Sequence, residues 1–131
     1  MLVKEIMKKP LTITEDKSMR EASKKMAEHG FGCLIVTAVD DEHKVRGIIT
    51  ERDVLKEVSK DDDLNEPLSS VMSKEVLTIG PEMHIDDAAQ LMNQKKIKRL
   101  PVFGDGKLLG IITSTDLMAN SADFGEYSLF D

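Results

Sequence analysis

The chain has 131 residues, of which 40% are hydrophobic and 32% charged, so it is a folded globular protein and not a disordered one. Eighteen Lys and Arg against 24 Asp and Glu leave a net charge of −6, which argues against nucleic acid or an anionic membrane as partner. Trp is absent and aromatics total 4%, so the core must be aliphatic and base-stacking platforms are scarce.

Residues Met1 to Pro10 carry Lys4, Glu5, Lys8 and Lys9, unlike the apolar stretch of a secretory leader. No apolar run approaches the ~20 residues that span a bilayer. Cys33 is the single cysteine and allows no internal disulfide. Together these features predict a soluble, cytoplasmic protein. Cys33 opens the apolar run Cys33-Leu34-Ile35-Val36 and reads as a buried small hydrophobe.

Leu11 to Ile13 predicts a first strand. A helix follows, with Met19, Ala22, Met26 and Ala27 at helical spacing. Ser18 and Glu21 form a capping-box pattern at its start and Gly30 follows its end. Cys33 to Val39 and Val45 to Thr50 predict two strands, and a second helix with Val54, Leu55 and Val58 opens after Thr50. Residues 59–66 are polar and acidic and read as a linker; Asp61-Asp62-Asp63 lacks the spacing of a calcium loop.

The pattern then restarts. Val76 to Ile79 predicts a strand, and Ile85, Ala88, Ala89 and Met92 a helix. Arg99 to Phe103 and Lys107 to Thr113 predict strands around an Asp105-Gly106 hairpin. A last helix with Leu117 and Met118 opens after Thr113, and residues 121–131 have no clear period. His43 falls in a turn, and His84 precedes a helix as a candidate cap. No His, Cys or Glu spacing matches a metal site.

Gly47-Ile48-Ile49-Thr50-Glu51-Arg52-Asp53 recurs as Gly110-Ile111-Ile112-Thr113-Ser114-Thr115-Asp116, an offset of 110 − 47 = 63. Leu11-Thr12-Ile13 recurs as Leu77-Thr78-Ile79, an offset of 77 − 11 = 66. Ile6-Met7 recurs as Val71-Met72. The missing three residues are expected in the turn at Asp40 to Lys44. The expected fold is α+β, two βαββα repeats at 2–58 and 67–120. Each repeat has about 55–60 residues, a size at which a lone core is marginal, so the two are expected to pair with pseudo-twofold symmetry.

Thr-x-x-Asp at a strand–helix junction has two readings. One is a helix cap, with Gly47 and Gly110 permitting close backbone packing. The other adds a ligand: the Thr hydroxyl and free helix N–H groups suit a phosphate, and the Asp carboxylate suits two ribose hydroxyls. Arg52 is either a cation for that site or a surface residue beside Glu51. Lys95 and Lys96 read as a solvated helix end.

Two βαββα units, each closed by Gly-h-h-Thr-x-x-Asp, together with Lys98-Arg99-Leu100-Pro101-Val102, resemble a tandem CBS-domain pair, or Bateman module. The resemblance covers roughly residues 2 to 120. It implies a regulatory module without catalytic activity that binds AMP, ADP, ATP or S-adenosylmethionine in a cleft between repeats. It implies phosphate contacts from Thr50 and Thr113 and ribose contacts from Asp53 and Asp116. Leu11, Thr12, Leu77 and Thr78, with Phe31 and Ile97, would border the base. Lys98 and Arg99 fall where family members place basic phosphate ligands, whereas the first repeat has Gly32 and Cys33 there, so the two sites are expected to differ. The resemblance also implies a homodimer, supported by the apolar second helices, and an unidentified regulated protein. Other readings are an assembly module whose cleft is empty or holds another adenosyl compound, and a detached regulatory part of an IMP-dehydrogenase-like enzyme.

Overall fold

The computed structural model describes residues 1–60 and 63–120; Asp61 and Asp62 of the linker and the 121–131 tail lie outside the described residues. In chain order the elements are α1 (Val3–Ile6), β1 (Thr12–Thr14), α2 (Met19–His29), β2 (Cys33–Ala38), β3 (Asp41–Thr50) and α3 (Glu51–Ser59). They continue with α4 (Leu68–Val71), α5 (Ile85–Lys95), β4 (Arg99–Gly104), β5 (Lys107–Thr113) and α6 (Ser114–Asn120). This is the mixed fold with two repeats that the sequence predicts. No helix among the described residues is long and apolar enough to cross a membrane.

Contacts divide the chain into two units, Leu11–Val76 and Met1–Pro10 joined by the chain from Leu77 onward. In the Leu11–Val76 unit, β1 runs parallel to β2 and β2 antiparallel to β3. β2 is buried along its whole length, as an apolar run covered on both faces must be. Ser18 starts α2 through the expected capping box with Glu21, and Gly30 ends it at φ 67°. α2 lays Met19, Ala22 and Met26 into a core with Ile13, Leu34, Val36, Ile49 and Leu68. Leu68 belongs to α4, whose N–H donates to the Lys17 carbonyl at 2.8 Å. Past α4, Ser73 and Ile48 exchange backbone hydrogen bonds at 3.0 and 3.3 Å. That approach needs Gly47, since a Cβ there would lie 2.6 Å from the Ser73 carbonyl oxygen.

The other unit repeats the plan with β4 and β5 antiparallel. Its core holds Val3, Ile79, Ile85, Ala88, Ala89, Met92, Leu100, Val102, Ile112 and Leu117. Val3 comes from α1 and is fully buried, its N–H donating to the Met83 carbonyl at 2.8 Å. Lys8 and Ile111 exchange backbone hydrogen bonds at 3.0 and 2.9 Å. A Cβ on Gly110 would meet Met7 Sδ at 2.8 Å and the Lys8 carbonyl oxygen at 2.9 Å. Each short helix therefore precedes one repeat in sequence and packs with the other repeat. Neither four-residue helix is expected from periodicity, which needs longer segments.

Several elements differ from expectation. Val76 to Ile79 makes a single parallel bridge, Ile79 to Val102, instead of a strand. The cause is two prolines. In the first unit Ile35 donates its N–H to the Leu11 carbonyl at 3.0 Å, and Glu15 donates to the Thr37 carbonyl at 2.9 Å. The matched positions are Pro101 and Pro81, which have no N–H to donate.

The three extra residues of the first repeat do not enlarge the turn. Ala38 pairs with Asp41 across Val39-Asp40, and Thr37 pairs next with Val45. Glu42, His43 and Lys44 are thus a bulge inside β3, so His43 lies in a strand and not in a turn. The Asp105-Gly106 hairpin holds, with both residues at positive φ, 53° and 72°. Leu117 is 2% exposed and Met118 packs half-buried against the core, so α6 does not present the apolar face expected of it.

Candidate functional site

β3 delivers Thr50 to the end of the sheet in extended conformation, φ −119° and ψ 166°, and the chain turns there into α3. Thr50 Oγ1 accepts the Asp53 N–H at 3.3 Å. Asp53 Oδ2 accepts the Thr50 N–H at 2.8 Å and the Thr50 hydroxyl at 3.0 Å. β5 delivers Thr113 to α6 in the same way. Thr113 Oγ1 accepts the Asp116 N–H at 3.2 Å, and Asp116 Oδ2 accepts the Thr113 N–H at 3.0 Å and hydroxyl at 2.9 Å. Both motifs are therefore capping boxes in which one carboxylate oxygen is committed to the Thr. Any ligand must use the other oxygen.

That second oxygen distinguishes the copies. Asp116 is 5% exposed and its Oδ1 is paired with Lys8 Nζ at 2.9 Å. Asp53 is half-buried, and among the described residues its Oδ1 has no hydrogen bond or ion pair. Lys8 is a residue that sequence reasoning misses. Its available signal is the Met7 to Met72 match, which sets Lys8 opposite Ser73 in the repeat.

The hairpin register brings Arg99 opposite Thr113. Lys98 accepts the Ser114 N–H on its carbonyl at 2.9 Å. In the other unit Cys33 stands opposite Thr50 and the Gly32 carbonyl accepts the Glu51 N–H at 3.0 Å. Lys98-Arg99 and Gly32-Cys33 are thus equivalent places with opposite chemistry: exposed Lys98 and half-buried Arg99 against a glycine and a buried thiol. Arg52 is exposed one position before Asp53.

Leu11 and Thr12 are half-buried beside β2, and the Thr12 carbonyl accepts the Lys25 ammonium. Their counterparts Leu77 and Thr78 are exposed. Ile97 packs half-buried against its unit's core. Phe31, also expected to border the base, lines an apolar cavity of about 440 Å³ with Met26, Ala27, Gly30, Val54 and Leu55. On the α3 side of this groove Leu55 is 68% and Val58 50% exposed.

Two further ionisable groups accept local hydrogen bonds. His84 Nδ1 accepts the Asp86 N–H at 3.1 Å, the helix cap expected of it. Thr14 donates its hydroxyl to Asp16 at 2.5 Å and holds that carboxyl below its ordinary value.

Comparison with known proteins follows the sequence repeats and not the contact units. The CBS domain family model matches twice, at residues 3–60 and 68–123. The CBS domain-containing protein YhcV of Bacillus subtilis is 34% identical over 110 residues, 83% of this chain and 76% of that protein. The chain spans only 50%, 60% and 62% of three further curated relatives. Among solved structures, the CBS domain protein PAE2072 from Pyrobaculum aerophilum, complexed with AMP, is 25% identical with a TM-score of 0.88, covering 96% of this chain and 97% of that one. The CBS domain pair of protein MJ0100, in complex with 5′-methylthioadenosine and S-adenosyl-L-methionine, is 30% identical with a TM-score of 0.80, covering 91% and 98%.

Proposed function

The chain belongs to the CBS domain family, and from that premise we propose that it is a non-catalytic sensor of adenine nucleotides or a related adenosyl compound. The observation that carries this reading is the duplicated Thr-x-x-Asp junction, in which the cap leaves one carboxylate oxygen per motif for a ligand. A ribose diol supplies two donors and fits an acceptor-only carboxylate. The AMP bound to PAE2072 and the S-adenosyl-L-methionine bound to the MJ0100 pair support the ligand class. Asp53 and Asp116 contact ribose in this reading. Thr50 and Thr113, with Lys98 and Arg99, serve phosphate, and Leu11, Thr12, Leu77, Thr78 and Ile97 border the base. A phosphate that takes the Thr hydroxyl proton takes it from the Asp, so binding rearranges the cap.

The test is calorimetric titration with AMP, ADP, ATP, S-adenosylmethionine and NAD, followed by product analysis. Binding without turnover is expected, with 2′-deoxy-AMP weaker by about tenfold, the loss of one charge-assisted hydrogen bond. Equal affinity for AMP and 2′-deoxy-AMP removes the ribose assignment. Turnover removes the sensor reading.

We further propose that the groove beside α3 is where a second copy docks. Leu55, Val58 and Phe31 form an apolar face that a homodimer would cover. Light scattering is expected to give about twice the 14.6 kDa of one chain. A monomer at high micromolar concentration, with and without nucleotide, rejects it.

A further inference from the structure

We propose that Lys8 is a displaceable latch on the second motif: its ammonium holds the Asp116 oxygen that a ribose diol would take, and it moves to the phosphate when a nucleotide binds there. This rests on the adenosyl-ligand reading and assigns the specificity of one of its two sites.

Asp116 has few ways to meet a ligand. Its Oδ2 is committed to the Thr113 N–H and hydroxyl, and its Oδ1 is paired with Lys8 at 2.9 Å. The carboxylate is 5% exposed, whereas the Lys8 side chain is 64% exposed. The backbone of Lys8 is fixed, since it exchanges two hydrogen bonds with Ile111 in the space that Gly110 leaves. The base of the side chain is therefore held in place while its charged end stands in solvent on a flexible stem. A diol that reaches Oδ1 must displace the ammonium.

Displacing a cation from a buried carboxylate is costly when nothing replaces the charge pairing. Adenosine brings two neutral hydroxyls and leaves the ammonium without an anion. AMP brings a phosphate that the released ammonium can meet. The latch thus discriminates by charge: it opposes a nucleoside and accepts a nucleotide.

The first motif lacks the device. Ser73 holds the matched place, with the same exchange of hydrogen bonds to Ile48 over Gly47. It carries no charge, and Asp53 Oδ1 has no ion pair among the described residues. Adenosine is therefore expected to bind the Asp53 motif well and the Asp116 motif poorly, while AMP binds both.

The experiment titrates AMP and adenosine into the full chain carrying Asp53→Asn, which weakens the first motif, with and without Lys8→Met. Lys8→Met is expected to raise adenosine affinity and lower AMP affinity, narrowing their ratio about tenfold. Lys8→Arg should restore the preference for AMP. Ser73→Lys in the otherwise unchanged chain transfers the latch and should weaken adenosine more than AMP, and it needs no Lys8 variant to fold. If Lys8→Met changes both ligands by the same factor, or neither, or if Ser73→Lys leaves adenosine unaffected, the latch is refuted while nucleotide binding by the unaltered chain stands. If the unaltered chain binds neither AMP, adenosine nor S-adenosylmethionine, the adenosyl reading fails and the latch falls with it.

Discussion

In the Leu11–Val76 unit Ile35 donates its N–H to the Leu11 carbonyl, and β1 forms a three-residue parallel strand. In the other unit Pro101 stands at the matched position, and the same segment makes one bridge. α2 ends on Gly30 at φ 67°, whereas α5 ends on Lys96 at φ 56°. Among the described residues Asp53 keeps an oxygen unpaired where Asp116 is tied to Lys8. These contrasts show that one plan survives when a local solution is replaced at a matched place. One of these replacements falls on the Thr-x-x-Asp motif itself, which we propose each repeat uses for its ligand.

Steric tolerance beneath the two short segments separates the units most. Gly47→Ala sets a Cβ 2.6 Å from the Ser73 carbonyl oxygen, while Gly110→Ala sets one 2.9 Å from the Lys8 carbonyl oxygen, so both meet backbone and Gly47 meets it more closely. The expected losses in urea unfolding are about 3 kcal/mol for Gly47→Ala and about 1–2 kcal/mol for Gly110→Ala. Equal losses would show that both segments shift with the same ease.

Removing one charge gives a smaller contrast. Lys8→Met leaves the buried Asp116 without its cation and should cost about 1–2 kcal/mol, less than for a fully buried pair because Lys8 is mostly exposed. Arg46→Met breaks the more open Arg46–Glu15 pair, 3.0 Å long, in the other unit and should cost under about 0.5 kcal/mol. Chemical denaturation of both variants at low and high salt checks the order.

The helix ends come next. Lys96→Gly should stabilise by about 0.5–1 kcal/mol, because a side chain in the left-handed region is strained. Gly30→Ala should destabilise by about 1 kcal/mol through φ alone, since a Cβ there meets nothing within 4 Å. Thermal unfolding that moves both variants in the same direction would break this part of the comparison.

The smallest effect is one of pH. The hydrogen bond from Thr14 lowers the Asp16 pKa below its ordinary value of 3.8. Stability from this contact is therefore complete above 3.8 and lost as pH falls through the lower, folded value. Thr14→Val should move the Asp16 midpoint back up in a carboxyl NMR titration. At the matched place Glu82 pairs with Lys4 instead, at 2.9 Å.

Much of this was legible because the physics is local. Met19, Ala22 and Met26 announce α2 by spacing, Ser18 and Glu21 announce its cap, and Asp105-Gly106 announces a type I′ turn. The Thr-x-x-Asp boxes were readable as caps from three-residue spacing alone. The Lys8–Asp116 pair was not, because it joins opposite ends of the chain and neither residue carries the other's signature. The exchange of α1 and α4 between repeats was hidden for the same reason. The bulge at Glu42-His43-Lys44 was misplaced because an offset counts inserted residues without saying which side of a turn holds them. Pro81 and Pro101 were visible, but their effect requires knowing which carbonyl each would have faced.

The exchange of the short helices also sets an order of completion during synthesis. Every segment of the Leu11–Val76 unit has been made once Val76 has joined the chain, since α4 and Ser73 lie just behind β3 and α3. Met1–Pro10 is made before that unit and completed after it. Val3 and Met7 have no core to enter until Ile85, Leu100 and Ile111 have followed them out of the ribosome. Residues Met1–Pro10 thus wait through the making of one whole unit before they close the other.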